Sequence, residues 1–188
     1  MTFPSHDLDS APEASKPLLE QSQKAFGRLP GLHKVLAESP QTYEGYQVLH
    51  KLFTETAFDA DELTVVWQSI NVENECHYCV PAHTGIAKMM KVSDDLSEAL
   101  RTEAPLPTAK LEALRTFTVQ MLRGRGNVTQ EQMQAFFDAG YGHRAVLDVI
   151  LGLAQKTISN YVNHVAQTPV DEVFKPLAWK RGDAPLKV

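Results

Sequence analysis

An all-α fold is predicted by three observations. Apolar residues recur at intervals of three and four in one segment after another. Breaks carrying Gly and Pro separate those segments, and no stretch reads as a strand. A length of 188 residues suits one domain or two small fused halves.

Residues 1–10, with Ser, Asp and Pro and almost no apolar period, read as a flexible tail ahead of a single helical domain over 11–188. In KPLLEQSQKAFGRL, Leu18, Leu19, Ser22 and Phe26 share one side, and Pro30 and Gly31 then break the helix. In SPQTYEGYQVLHKLFTETA, Ser39 is the cap and Pro40 suits the first turn. Tyr43, Tyr46, Leu49 and Phe53 form its inner face. DADELTVVWQSINVENE opens with Asp59 three residues before Glu62, the spacing of a capping box, and lays Leu63, Val66, Trp67 and Ile70 along one face.

Beyond the two cysteines come AHTGIAKMMKVS, the short SDDLSEALRT, and PTAKLEALRTFTVQMLRGRG, which Gly124 and Gly126 end. Thr129 caps NVTQEQMQAFFDAGY, and HRAVLDVILGLAQKTISNYVNHVAQ is the longest helical stretch, stopping before Pro169. Within it AVLDVILGLA is apolar on more than one face, which suggests burial in a homo-oligomer interface. The latter half repeats the order of the former: a capped helix, a turn, then a longer apolar helix with a polar end. Two pseudo-repeated halves would read this way, although the residues do not match position by position and the second half has no cysteine.

The net charge of -5 and the lack of any Lys/Arg-rich run exclude a nucleic-acid or anionic-membrane surface, since both need clustered cations. No run of about twenty apolar residues exists, and MTFPSHDLDSAPEASK has neither a basic start nor an apolar stretch, so a cytoplasmic protein is expected.

The only cysteines, Cys76 and Cys79, stand C-x-x-C in NECHYCVPAH, with His83 four residues beyond. In a reducing compartment such a pair points to catalysis or metal binding rather than to a structural staple. Pro81 is tolerated only in a first helical turn, so a helix starts near Cys76 to Val80. That puts Cys79 at the helix N-terminus, whose unpaired N–H groups favour a thiolate. His83 falls on the same face as Cys79, as an imidazolium partner or a general base. Three readings stay open on these residues: buried inert thiols, a zinc site through Cys76, Cys79, His83 and His77, or dithiol redox chemistry. Thioredoxin is excluded, because it needs strands alternating with helices.

ENECHYCVPAHTG, preceded by DELTVVWQSINV, resembles the core motif of the alkylhydroperoxidase D (AhpD)-like branch of the carboxymuconolactone decarboxylase superfamily. KTISNYVNHVAQTPVDEVF is similar to the segment that ends many peroxidase-related members, so the resemblance spans about residues 15–175. It implies an all-α, homo-oligomeric, cofactor-free antioxidant thiol peroxidase. Cys79 would attack the hydroperoxide, Cys76 would resolve the sulfenic acid to a disulfide, and His83 would handle the proton. A lipoyl-bearing or thioredoxin-like dithiol protein would reduce the disulfide. The chain departs from the family pattern twice. The relay glutamate's place, twelve residues before Cys76, holds Thr64, with Glu62 two residues earlier, where relay and helix cap both stand open. Tyr78 stands where better-known members have histidine. The rival readings are a decarboxylase-like lyase that does not use the cysteines and a non-enzymatic zinc-binding or interaction protein.

Overall fold

The computed structural model describes residues 3–186. Side-chain caps set most helix starts. Ser39 accepts from the Thr42 N–H to open the helix Pro40–Thr54, and Asp59 and Glu62 close a reciprocal capping box at Ala60–Glu73. Ser93 and Thr108 cap Asp94–Arg101 and Ala109–Arg123, and Thr129 makes a second capping box with Gln132 at Gln130–Asp138. The helices are α1 (Lys16–Phe26), α2 (Gly31–Leu36), α3 (Pro40–Thr54), α4 (Ala60–Glu73), α5 (Cys79–Met89), α6 (Asp94–Arg101), α7 (Ala109–Arg123), α8 (Gln130–Asp138) and α9 (His143–Ala166). Two 3-10 turns, Glu13–Ser15 and Glu172–Leu177, complete the regular structure, and there is no strand among the described residues. The all-helical expectation holds.

Two details differ from expectation. α4 is buried on every side from Glu62 to Val72 rather than along one face, because α5, α6, α7 and α9 all pack around it. Phe26, expected on the inner face of α1, is half exposed, because Gly27 ends the helix in a left-handed turn and leaves the ring edge-on to His33.

Of the tail expected over residues 1–10, residues 1–2 lie outside the described residues, and from His6 onward the segment is hydrogen-bonded to α2 and its C-terminal turn. The His6 N–H donates to the Lys34 carbonyl, the His6 ring pairs with Glu38, and Asp7 and Ser10 close a local turn. At the other end, buried Arg101 donates to the carbonyls of Leu177 and Ala178, and Trp179 Nε1 donates back to Arg101 O, strapping the C-terminal segment over α5 and α6.

One apolar core holds Val65, Val66, Trp67 and Ile70 of α4 with Leu96, Leu114, Phe117, Phe136 and Val149. A second gathers Leu19, Tyr43, Tyr46 and Tyr78 around the two cysteines. α9 joins the two, and Gly152 lets it approach closely: a Cβ there would stand 2.8 Å from Phe53 and 2.9 Å from Val66. Gly152→Leu should therefore overpack this contact and destabilise by about 1–3 kcal/mol. Thermal denaturation should register a drop of roughly 2–12 °C in Tm, and an unchanged Tm would refute the packing.

Candidate active site

Local backbone chemistry delivers the two thiols. α4 ends in a Schellman arrangement: Glu75 takes a left-handed φ of 51°, its N–H donates to Val72 O, and the Cys76 N–H donates to Asn71 O. The chain is thereby turned back, and Cys76 behaves as a helix cap, its carbonyl accepting from the Val80 N–H and its sulfur from the Cys79 N–H at 3.3 Å. Cys79 then opens α5 with Pro81 in the first turn, as its missing N–H requires. The two sulfurs lie 2.6 Å apart and are not joined in a disulfide.

Helix α9 supplies the other half of the site. Asn160 Nδ2 and Asn163 Nδ2 donate to Cys79 Sγ at 3.1 and 3.3 Å. One turn before Asn160, Lys156 Nζ lies 2.9 Å from His83 Nε2. Lys156, Asn160 and Asn163 fall at i, i+4 and i+7, one face of the helix, and Cys79 and His83 at i and i+4 form the facing stripe of α5. The amide–amide network below holds the register: Asn160 also donates to Asn71 Oδ1, and Asn71 donates to Gln68 Oε1. Gln68 in turn donates to Val80 O and Thr84 Oγ1.

A cleft of about 900 Å³ opens onto this contact, lined among others by Tyr46, His50, Trp67, Cys79, His83 and Lys156. Cys76 lies behind Cys79, fully buried and outside the lining. The rings of Tyr46, His50, Trp67 and His83 follow one another at centroid separations of 4.9–6.1 Å.

Electrostatics separate the two sulfurs. Burial opposes ionisation of Cys79, but the hydrogen bond from Cys76, the charge of Lys156 and the amides of Asn163 and Asn160 outweigh it and lower its pKa to about 6. Cys76 moves the other way, because its proton is held by Cys79, because it is buried, and because a second negative charge would sit beside the first. Burial and then the Lys156 charge push His83 well below the usual imidazole range, so the ring is neutral. An ammonium at Lys156 can only donate, which puts the ring proton on Nδ1, an atom that is buried and has no partner.

Neither a family model nor a curated protein matches the chain. Solved structures do. An alkylhydroperoxidase AhpD core, an uncharacterized peroxidase-related protein from Ralstonia eutropha JMP134, superposes with a TM-score of 0.81 over 97% of this chain and 96% of its own, at 18% identity. The chain has the AhpD-like helical fold. A peroxidase-related protein from Silicibacter sp. TM1040 follows at TM-score 0.76 and 18% identity, covering 93% of this chain and 95% of its own. A Cys-to-Ala variant of the debrominase Bmp8, in complex with 2,3,4-tribromopyrrole, gives TM-score 0.74 at 14% identity, covering 92% of each chain.

Within this AhpD-like frame the expected site residues divide. Cys76, Cys79 and His83 come together. Glu62 does not: it lies at the far end of α4, about 16 Å along the axis from Glu73, completing its capping box and pairing with Lys110 Nζ at 2.9 Å. His83 Nε2 lies against Lys156 Nζ instead. The zinc set is not assembled either, since His77 turns to the Thr168 carbonyl and His83 Nε2 is occupied. No group of three or more His, Cys, Asp or Glu that could hold a metal ion occurs among the described residues.

Tyr78 ties the loop to the C-terminal segment through Asp171 and accepts from the Leu32 N–H. Glu73 and Glu75 pair with Arg123 and Arg181 at the surface, away from the sulfurs. Sequence reasoning missed Lys156 and the role of Asn160 and Asn163. The available signal was their i, i+4, i+7 spacing, a polar stripe on an otherwise apolar helix.

Asn163 makes its single contact here with Cys79, so Asn163→Leu isolates one donor to the sulfur. A hydrogen bond to a charged group is worth about 1.5–3 kcal/mol, or roughly one pKa unit or more. Iodoacetamide alkylation of Cys79 at about pH 6 should slow about fivefold in the variant. A rate equal to wild type would mean the amide does not stabilise the thiolate.

Proposed function

We propose that this protein is a thiol peroxidase that reduces organic hydroperoxides through a Cys79–Cys76 dithiol/disulfide cycle. One observation carries the reading: the sulfur that faces the cleft is the one that two amide donors converge upon, with the Lys156 charge acting on it, and the sulfur behind it is within reach to resolve it. The Cys79 thiolate attacks the hydroperoxide oxygen, forming S–O as O–O breaks, and the departing alkoxide takes up a proton and leaves as alcohol. Cys76 then attacks the sulfenic sulfur, forming the disulfide and releasing water. A dithiol protein, lipoyl-bearing or thioredoxin-like, returns two electrons and two protons. The cycle needs no cofactor, and it suits a thiol-reducing compartment such as the cytoplasm. No helix among the described residues is long and apolar enough to cross a membrane.

A second reading, reductive dehalogenation of a haloaromatic by the same thiols, is favoured by the aromatic walls Tyr46, Trp67 and Phe174. There the thiolate would take the halogen, the ring would gain a proton, and Cys76 would expel halide as the disulfide forms. A decarboxylase-like lyase finds less support, because such a reaction would leave the donors around Cys79 without a purpose. Self-association is also proposed: Leu147, Ile150, Tyr161 and Val165 form an exposed apolar stripe along α9. Light scattering at micromolar concentration should give a multimer, and a clean monomer would end that proposal.

With limiting cumene hydroperoxide, mass spectrometry should find an intramolecular disulfide in the wild type. Cys76→Ser should stop at a trappable sulfenic acid on Cys79, and Cys79→Ser should barely react. Retained activity in Cys79→Ser, or after alkylation of both thiols, would overturn the peroxidase reading. Halide release from bromopyrroles without hydroperoxide turnover would replace it with the second one.

A further inference from the structure

Resting on the peroxidase reading, we propose that Lys156 is the acid–base catalyst of the site, and that His83 serves to position it. The geometry carries this. Lys156 is buried and lines the same cleft as Cys79, on the α9 face whose next turns deliver Asn160 and Asn163 to that sulfur. Its one hydrogen-bond partner is His83 Nε2 at 2.9 Å, so that nitrogen is taken as an acceptor and cannot draw a proton from the thiol. The proton on Nδ1 has no outlet, since that atom is buried without a partner. The imidazole is therefore unsuited to shuttle a proton and suited to hold the lysine in place.

The titratable groups that act on Lys156 are His83 and Cys79 of α5, Cys76 of the preceding loop and His50 of α3. Burial lowers the Lys156 pKa and the two cysteines raise it, with no carboxylate among them. A thiolate at Cys79 supports the ammonium form against that burial, and the support is lost once the sulfur is oxidised.

That coupling closes the proton balance. In the resting state the pair is Cys79 thiolate and Lys156 ammonium. When the thiolate takes an oxygen from the hydroperoxide, Lys156 gives the leaving alkoxide its proton. Sulfenic acid, alcohol and neutral amine remain, with no net charge change. The amine then removes the Cys76 proton, which the neighbouring sulfur and burial otherwise hold firmly. Cys76 attacks the sulfenic sulfur, and the proton returns to the departing hydroxide as water. Reduction of the disulfide by the external dithiol restores both thiols, and Cys79 reprotonates the amine.

Two variants test this, each checked by circular dichroism for the helical fold. Lys156→Met removes charge and proton together. The pH midpoint for alkylation of Cys79 by iodoacetamide should move from about 6 toward the free-thiol value of about 8.5. At about pH 6.5 the rate should fall roughly tenfold. Lys156→Arg keeps the charge but cannot give up its proton, so alkylation should stay near wild type while hydroperoxide reduction drops about 10²–10⁴-fold. The loss should be larger for hydroperoxides whose alcohols are poorer leaving groups.

An unchanged alkylation profile in Lys156→Met, or wild-type hydroperoxide turnover in Lys156→Arg, would overturn the assignment. Should Lys156→Met lose its helical spectrum, the Arg variant decides alone. If the wild type turns over no hydroperoxide, the peroxidase reading fails and the proton-donor role with it. The alkylation arm still decides whether Lys156 is the cation that ionises Cys79.

Discussion

The contact between α5 and α9 is the constraint on which the rest of the site depends. It places a thiol in the first turn of one helix against two amide donors and a lysine on a single face of the other. Neither half would suffice by itself. A helix N-terminus contributes about 0.3–1 kcal/mol toward a thiolate, less than the roughly 2 kcal/mol that an ordinary thiol needs to be half ionised at neutral pH. The amides and the ammonium make up the difference, and they do so only while α9 keeps its register against α5. That register is held by the buried Gln68 and Asn71 of α4, which bind the first-turn carbonyls of α5 and, through Asn160, α9.

Burying Lys156 is expensive, and the compensation explains much of the surrounding chemistry. An ammonium left unpaired in the interior costs several kcal/mol. Here its support comes from the cysteine pair and from a histidine kept neutral, not from a carboxylate. The stability of the floor is therefore linked to the redox state of the sulfurs. The polar network around α4 and the strap made by Arg101, Trp179 and the Tyr78–Asp171 contact hold this arrangement from both sides.

Much of the fold could be read from the chain because its signals are local. The Asp59–Glu62 and Thr129 caps, the Pro81 restriction and the length of α9 each rest on a few neighbouring residues. The paired thiols and His83 were legible for the same reason. The proposed proton partner was not: Lys156 is 73 residues from His83 in sequence, and its helical spacing with Asn160 and Asn163 marks a polar stripe without telling what that stripe faces. Glu62 shows the opposite failing, a local signal that is fully satisfied locally, by its cap and by Lys110, and so never reaches the thiols. Likewise the all-round burial of α4 depends on four other helices that no single stretch reveals.

Everything proposed for the site requires that one buried sulfur be an anion at neutral pH while its neighbour is not. Following the ultraviolet absorbance of the thiolate against pH in the reduced, otherwise unmodified protein tests it most directly. One thiolate per chain should appear with a midpoint near 6, and the second only at strongly alkaline pH. Two thiols titrating together near the ordinary value of about 8.5 would contradict it.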